Sequence, residues 1–351
     1  MLAPGAAIGI LGGGQLGRML SMAAARLGFR CRVFDPGEAP PAGQVAEHVT
    51  KADFRDRAAL ERFAEMVDLV TYEFENVPLE ALDALEPLRP VRPGRRALEV
   101  SQDRLTEKGF LRGIGLSVAP YAGIDSPDDF EDALARVGAP AILKTRREGY
   151  DGKGQTRVET AAEAKAALAR SGNVPAILEG VVPFQLEVSV IAARGATGEV
   201  ACYDPGENRH QDGILRSTTV PARLPPAQRT DAALLAGRIL NALDYVGVMG
   251  VELFVTEREL LVNEIAPRVH NSGHWTQNGC FVDQFEQHVR AIAGWPLGDA
   301  ARHSDVEMRN LIGEDVREAA TIAADGRSAL HLYGKSETRP ERKMGHVNRL
   351  L

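Results

Sequence analysis

Glu252 stands in the middle of the apolar run GVMGVELFV, and Glu264 closes the next one, ELLVNEIA, with Asn263 beside it. A carboxylate inside an apolar strand is costly without a partner. On adjacent antiparallel strands the two acids could share one face, the arrangement a hard Mg²⁺ ion takes when nucleotide phosphates share it. A structural salt bridge is the other reading. The chain then runs PRVHNSGHWTQNGC, which sets out Arg268, His270, Asn271, Ser272 and His274 with neither helical nor strand period. His270 and His274 are spaced like ligands on one helical turn, but the intervening Asn-Ser-Gly opposes helix and no third ligand stands at a zinc spacing. A Ser-His-Asp hydrolase is equally unsupported, because the sequence has no G-x-S-x-G elbow.

Upstream, Lys144 lies on a strand that leads into GYDGKGQ, residues Gly149 to Gln155. Glycines at 149, 152 and 154 give a loop able to fold over an anion, with the lysine as a fixed positive charge beneath it. A plain hairpin is the alternative; a Walker A motif is not, since no Lys-Ser or Lys-Thr opens a helix. Glu179 ends the strand PAILEG and Glu187 follows in FQLEVSV, where an acid can receive an adenine amino group or a ribose hydroxyl, or lie solvated in a loop. Near the N-terminus Gly12, Gly14 and Gly17 match G-x-G-x-x-G, and Asp35 ends the next strand. This pattern fits a dinucleotide, a tight strand-to-helix turn, or a loop facing another polar ligand.

These residues need a frame. AIGIL, QLGRMLSMAAARLG, CRVFD, ADFRDRAALERFAEM and VDLVTYEF alternate as βαβαβ, which predicts a parallel sheet. PLRPVRPGRR closes that unit, and SQDRLTEKGFLRGIG reads as one helix opening the next. From Pro140 to Glu179 the order strand, glycine-rich loop, alanine-rich helix, strand makes a compact α+β module. The strands LEVSVIAAR, VGVMGVELFV and ELLVNEIA then build a larger region. At 351 residues, two or three domains are expected. Hydrophobic and charged fractions of 44% and 25% fit a globular chain rather than a disordered or membrane one. No apolar run approaches the roughly 20 residues that span a bilayer, and MLAPGAAIGILGGG lacks a basic signal region, so a cytosolic protein is expected. Cys31, Cys202 and Cys280 lack metal or disulfide spacing and predict reduced structural thiols. With 41 basic against 48 acidic residues and no basic stripe, nucleic acid is not the expected partner.

Taken in order, these pieces resemble the ATP-grasp superfamily, and within it the N5-carboxyaminoimidazole ribonucleotide synthetases. GGGQLGRM, TYEFENVP, GYDGKGQ, HQDGILR, NEIAPRVHNSGHWTQNG and YGKSETRPERKMGHVN carry the likeness over nearly the whole chain. The resemblance implies a Rossmann-like N-terminal domain (1–100), a linker helix with the lid and its glycine-rich loop (101–185), and a larger domain with the metal and substrate residues (186–351). It implies an ATP-dependent ligase of purine biosynthesis: ATP phosphorylates bicarbonate to carboxyphosphate, and the amine of aminoimidazole ribonucleotide captures the carboxyl, with release of ADP and phosphate. Arg104 and Lys144 would meet the ATP phosphates under the loop of Gly149, Gly152, Lys153, Gly154 and Gln155. Glu179, Val182, Glu187 and His210 would hold the nucleoside side. Glu252 and Glu264 would ligate Mg²⁺, or Mn²⁺ in its place, with Asn263 adjacent. Tyr150, Asp151, Arg268 and His270 would act on the reacting groups. Gln15, Glu73, Asn271 and Ser272 would line the ribonucleotide pocket, with Lys335 and Arg342 clamping its 5′-phosphate. A homodimer is implied. Lys153 stands where relatives often carry arginine, and PERK replaces an expected PGRK. Rival readings are formate-dependent glycinamide ribonucleotide transformylase, biotin carboxylase, an NAD-dependent oxidoreductase on the first domain, and a non-catalytic nucleotide sensor.

Overall fold

A computed structural model describes residues 1–149 and 154–351. AIGIL, buried at every position, forms strand β1 (Ala7–Leu11) inside a four-stranded parallel sheet. Its neighbours are β2 (Arg30–Asp35) and β4 (Leu69–Tyr72), with β3 (His48–Lys51) outside β2. The βαβαβ reading missed β3, whose short polar HVTK is exposed or half-buried and carries no apolar signal. Helices α1 (Gln15–Arg26), α2 (Arg57–Glu65), α3 (Leu79–Leu85) and α4 (Arg95–Ser101) complete this unit.

The helix expected through SQDRLTEKGFLRGIG is found with shorter bounds, and a separate helix, α4, which the sequence reading did not assign, ends at its first residue, Ser101. After α4, Asp103 caps α5 (Arg104–Gly113) by accepting the Leu105 and Thr106 N–H groups at 3.0 and 3.2 Å. A second sheet follows, antiparallel, in the order β5-β8-β6-β7. It contains β5 (Tyr121–Ile124), helix α6 (Phe130–Val137), β6 (Ala141–Thr145), β7 (Gln155–Val158), helix α7 (Ala161–Arg170) and β8 (Ala176–Gly180). QTRV, read from sequence as the tail of a loop, is β7: Val158 turns into the core while Gln155 and Arg157 stay exposed.

The third sheet has nine strands. They are β9 (Leu186–Arg194), β10 (Val200–Cys202), β11 (Gly206–Gln211), β12 (Ile214–Val220), β13 (Gly247–Val255), β14 (Leu260–Ala266), β15 (Val306–Ile312), β16 (Ser328–Leu332) and β17 (Lys343–Leu350). Their order is β14-β13-β9-β11-β12-β15-β17-β16, with β10 beside β9. The C-terminal strands therefore extend the sheet that carries Glu252 and Glu264. Helices α8 (Pro226–Ala242), α9 (Thr276–Gly279), α10 (Gln284–Ala293) and α11 (Ala319–Ala323) connect the strands.

A shared core joins the first unit to the third. Met19 and Leu20 of α1 bury in one cluster with Phe285, Val289 and Ile292 of α10. At the same joint the Val248 N–H donates to His288 Nδ1 at 3.0 Å, so that nitrogen carries no proton and Nε2–H donates to Thr71 Oγ1 at 2.9 Å. Burial pushes His288 down to about 3. Among the described residues no helix is long and apolar enough to cross a membrane.

Candidate active site

The two acids singled out from sequence face each other. Glu252 of β13 is the register partner of Glu264 of β14, and the pairing then slips so that Leu253 opposes Val262. The extra residue is Asn263, a β-bulge. Val262 and Ile265 lie three apart yet bury in the same core cluster, which a regular strand cannot do; Asn263 and Glu264 are left together on the opposite side. Burial and the charge of Glu264 raise Glu252 to about 7. Burial also opposes the charge of Glu264, but its side chain is 38% exposed, and Arg104 at 2.9 Å draws it down to about 2. Asn263 Oδ1 is buried with no donor among the described residues. Two carboxylates and an orphaned amide oxygen form an all-oxygen donor set, which fits a hard divalent cation such as Mg²⁺ or Mn²⁺.

Cationic groups close around this edge. Arg104, first residue of α5, donates to Glu264 and to the Gly149 carbonyl at 3.2 Å, at the root of the glycine-rich loop. Lys144 of β6 donates to Glu179 Oε2 of β8 at 3.0 Å, while Glu179 Oε1 is buried with no partner among the described residues. Against the cost of burial, Lys108 and Lys144 hold Glu179 below the usual carboxylate range. Further along the large sheet, Glu187 of β9 bonds His210 Nδ1 of β11 at 2.7 Å; burial disfavours the imidazolium, yet Glu187 raises the histidine above its ordinary value. Val182 is half-buried just beyond β8. Gly154 is the turn residue before β7 and Gln155 opens the strand; Tyr150, Asp151, Gly152 and Lys153 lie outside the described residues.

The irregular segment after β14 is a wall with two faces. His270 turns toward the acids, its Nε2 3.5 Å from Glu252, and its Nδ1 bonds Ser272 Oγ at 2.8 Å. Burial and the neighbouring Arg268 push His270 down to about 3, so the ring is neutral. Gly250 in β13 makes this packing possible, since a Cβ there would lie 2.7 Å from His270 Cβ. His274 turns the other way, ring to ring with His346 at 4.6 Å, so the two histidines converge on no metal. Gln284 staples the turn: its amide accepts the His270 N–H at 2.9 Å and donates to the His270 carbonyl and to His274 Nδ1. Ser272 is fully buried, its hydroxyl engaged by Ser189 and His270 rather than presented to the cleft. Asn271 exchanges amide hydrogen bonds with Asn310 at 2.9 and 2.8 Å. Arg268 pairs with Glu75 and lines the cleft with Arg104, Gly149, Glu264 and His270.

The N-terminal glycine loop is occupied by the protein's own carboxylates. Gly14 and Gly17 N–H groups donate to Glu73 at 2.8 and 3.1 Å, and the Gly13 N–H donates to Asp35 at 2.7 Å. Gly12, at φ +99°, has no room for a side chain, since a Cβ would meet Glu73 at 2.8 Å. The amides that a dinucleotide phosphate would need are thus already bonded. Gln15, half-buried, begins α1 directly beside this loop. At the far end of the large sheet, Lys335 donates to the Lys343 carbonyl at 2.7 Å and lies over the Tyr333 ring, while Arg342 donates to the Glu337 carbonyl at 2.9 Å.

Residues 6–102 match the ribonucleotide synthetase preATP-grasp domain, residues 109–285 the ATP-grasp domain, and residues 307–351 the phosphoribosylaminoimidazole carboxylase C-terminal domain. An N5-carboxyaminoimidazole ribonucleotide synthase from Brucella melitensis biotype 1 is 51% identical, over 99% of this chain and 97% of that relative. The chain belongs to the N5-carboxyaminoimidazole ribonucleotide synthase family. The crystal structure of the synthetase from Thermus thermophilus matches with TM-score 0.92 and 50% identity, over 98% of this chain and 93% of that one. The synthase from Aspergillus clavatus in complex with ADP and 5-aminoimidazole ribonucleotide matches with TM-score 0.93 and 31% identity, over 99% and 94%. The fold expected from the resemblance, an ATP-grasp with a preATP-grasp domain before it, is the one found.

The cleft is also lined or backed by residues that sequence reasoning passed over. Glu107 and Lys108 are buried beside Arg104, and Asp103 receives Arg146 from the end of β6 at 2.9 Å. The spacing of Arg104, Glu107 and Lys108 on one helical face was the available signal. Gln284 gave none, since a glutamine in an amphipathic helix looks like a surface residue.

Proposed function

We propose that the cleft between the lid sheet and the β13–β14 edge carboxylates aminoimidazole ribonucleotide at the expense of ATP, making this chain an ATP-dependent ligase of purine biosynthesis. The observation that carries this reading is the Glu252–Glu264 pair, ringed by Arg104 and Lys144, in a chain of this family. Arg104 and Lys144 supply positive charge where the β- and γ-phosphates of ATP would lie, and Glu179 Oε1 offers a buried acceptor to an amino or hydroxyl group of the nucleoside. Glu187 and His210 complete that end. Mg²⁺ held by Glu252 and Glu264, with Asn263 adjacent, would neutralise phosphate charge and polarise the transferring group.

Bicarbonate would attack the γ-phosphate, with ADP leaving, to give carboxyphosphate. The ribonucleotide amine would then take the carboxyl group as phosphate departs. For this second step Arg268 and a neutral His270 face the cleft, and Tyr150 and Asp151 belong to the loop that would close over it. Neutral His270 can accept a hydrogen bond from the amine at its unprotonated ring nitrogen; because burial and Arg268 oppose its protonation, it orients the amine rather than taking its proton. Lys335 and Arg342 would meet the 5′-phosphate, with Gln15, Glu73, Asn271 and Ser272 shaping the pocket. Glu73 and Ser272 would act through the loop and through His270, because their oxygens are already engaged. The divisions 1–100, 101–185 and 186–351, a homodimer and a cytoplasmic location complete the proposal.

The test is ADP release from MgATP and bicarbonate, with and without aminoimidazole ribonucleotide, against glycinamide ribonucleotide plus formate. Stimulation by the imidazole nucleotide alone is expected; turnover with the formate pair alone would move the chain to the transformylase reaction. Retention of NADH is not expected, because Asp35 and Glu73 hold the glycine-loop amides.

A further inference from the structure

Strand β14 ends the nine-stranded sheet; on its outer side the Val262 N–H donates to the Ser117 carbonyl at 2.8 Å in an isolated bridge, and among the described residues no further strand continues the pairing past Asn263, Glu264 and Ile265. An open edge beside a reaction cleft must be covered or satisfied. Helix α5 does this with three residues spaced i, i+3 and i+4, which therefore share one face. Arg104 reaches Glu264 at 2.9 Å, Glu107 Oε1 accepts the Ile265 N–H at 2.6 Å, and Lys108 Nζ donates to the Asn263 carbonyl at 2.6 Å. Three successive residues of the bulge are each held by a different side chain of one helix. Glu107 and Lys108 are 2% and 1% exposed, and their head groups are engaged by the β14 backbone and by Glu179.

Lys108 also faces the lid. Its Nζ lies 3.6 Å from Glu179 Oε2, the oxygen that Lys144 reaches at 3.0 Å. Two ammonium groups on one carboxylate oxygen fix the rotamer of Glu179 and leave Oε1 bare. One side chain thus ties β8 of the lid to β14 of the large sheet.

We propose that Glu107 and Lys108 are positioning residues that lock the β14 bulge, so that Asn263 and Glu264 face the cleft together, and that Lys108 sets the lid's Glu179 against that edge. The inference rests on the ATP and divalent-cation reading above. Without the lock the bulge can slide, and a one-residue slip returns Asn263 and Glu264 to opposite faces. Removing a group that orients a metal ligand typically costs about 10- to 100-fold in metal affinity or activity.

The experiment uses the full chain with Lys108→Met, Lys108→Arg, Glu107→Leu and Glu107→Gln, checked for folding by circular dichroism and melting. Calorimetric titration with ADP across Mg²⁺ concentrations needs no acceptor, so it separates failure of this inference from failure of the carboxylation reading. Lys108→Met and Glu107→Leu should raise the Mg²⁺ needed for half-maximal ADP binding by about 10-fold or more. In turnover, kcat should fall while the KM for aminoimidazole ribonucleotide stays within about twofold, a split that general loosening of the fold would not give. Glu107→Gln, which keeps an acceptor for the Ile265 N–H, should stay near the parent. If Lys108→Met does not fold, Lys108→Arg decides: its longer planar head cannot repeat both contacts, and a shifted Mg²⁺ dependence is expected. Parental Mg²⁺ dependence and ADP affinity in a folded Lys108 variant would overturn the proposal.

Discussion

Glu252 and Glu264 are the same chemical group placed at opposing register positions, and their surroundings give them different tasks. Arg104 holds Glu264 ionised at any physiological pH, whereas Glu252, raised to about 7, changes charge within the working range. A divalent cation needs both ionised, so the Mg²⁺ required for half-maximal rate should rise as pH falls below about 7, by up to about 10-fold per unit. Activity titrated against Mg²⁺ near pH 6 and near pH 8 checks this; coincident curves would remove Glu252 from the metal site. Glu264→Gln should cost on the order of 100-fold or more in kcat with the fold intact, and full activity would contradict its assignment. Lys335→Ala should raise the KM for aminoimidazole ribonucleotide by about 10-fold with ATP dependence little changed; an unaltered KM would take Lys335 out of the phosphate clamp. The acids were legible in sequence because a charge in an apolar run demands a reason. Glu107 and Lys108 were not, because on a helix of mixed charge an inward pair and a solvated pair are spelled alike.

At the scale of elements, the apolar runs of β13 and β14 announced themselves, but the bulge between them did not. VNEIA sets two polar residues side by side between apolar ones, yet register depends on a partner that sequence does not display. The true start of α5 left a trace in Asp103, a residue suited to capping, although the expected helix opened two residues before it. Asp103→Ala should destabilise the chain by about 0.5–2 kcal/mol through the lost cap alone. It also removes the nearer partner of Arg146, leaving it Asp125 at 3.5 Å, so limited proteolysis should cut the lid faster than in the parent. Melting together with a proteolysis time course tests this, and unchanged lid protection would mean that the Asp103–Arg146 contact does not anchor the lid. The C-terminal strands β15 to β17 were the least legible element, since joining a sheet through β12 involves residues far apart in the chain.

Across the whole molecule, burial of neutral histidines couples folding to pH. His270 and His288 sit near 3, and His274, His331 and His346 are also pushed down by burial. An unfolded histidine takes up its proton near pH 6.5, the folded ones only well below, so the unfolded chain binds more protons throughout that window. For His270 and His288 that stability is complete above about pH 6.5 and is lost toward pH 3 at about 1.4 kcal/mol per unit, and the other three act in the same direction. Melting temperature should therefore fall steeply between about pH 6.5 and 5, and His288→Asn should flatten that slope at the Thr71 joint; an unchanged slope would show that His288 does not report the joint. The chemistry of the cleft is tested most directly with bicarbonate labelled in oxygen-18. If ATP phosphorylates bicarbonate there, one labelled oxygen appears in the inorganic phosphate released during ribonucleotide-dependent turnover. Phosphate free of label, with ADP still formed in step with carboxylated product, would contradict the account.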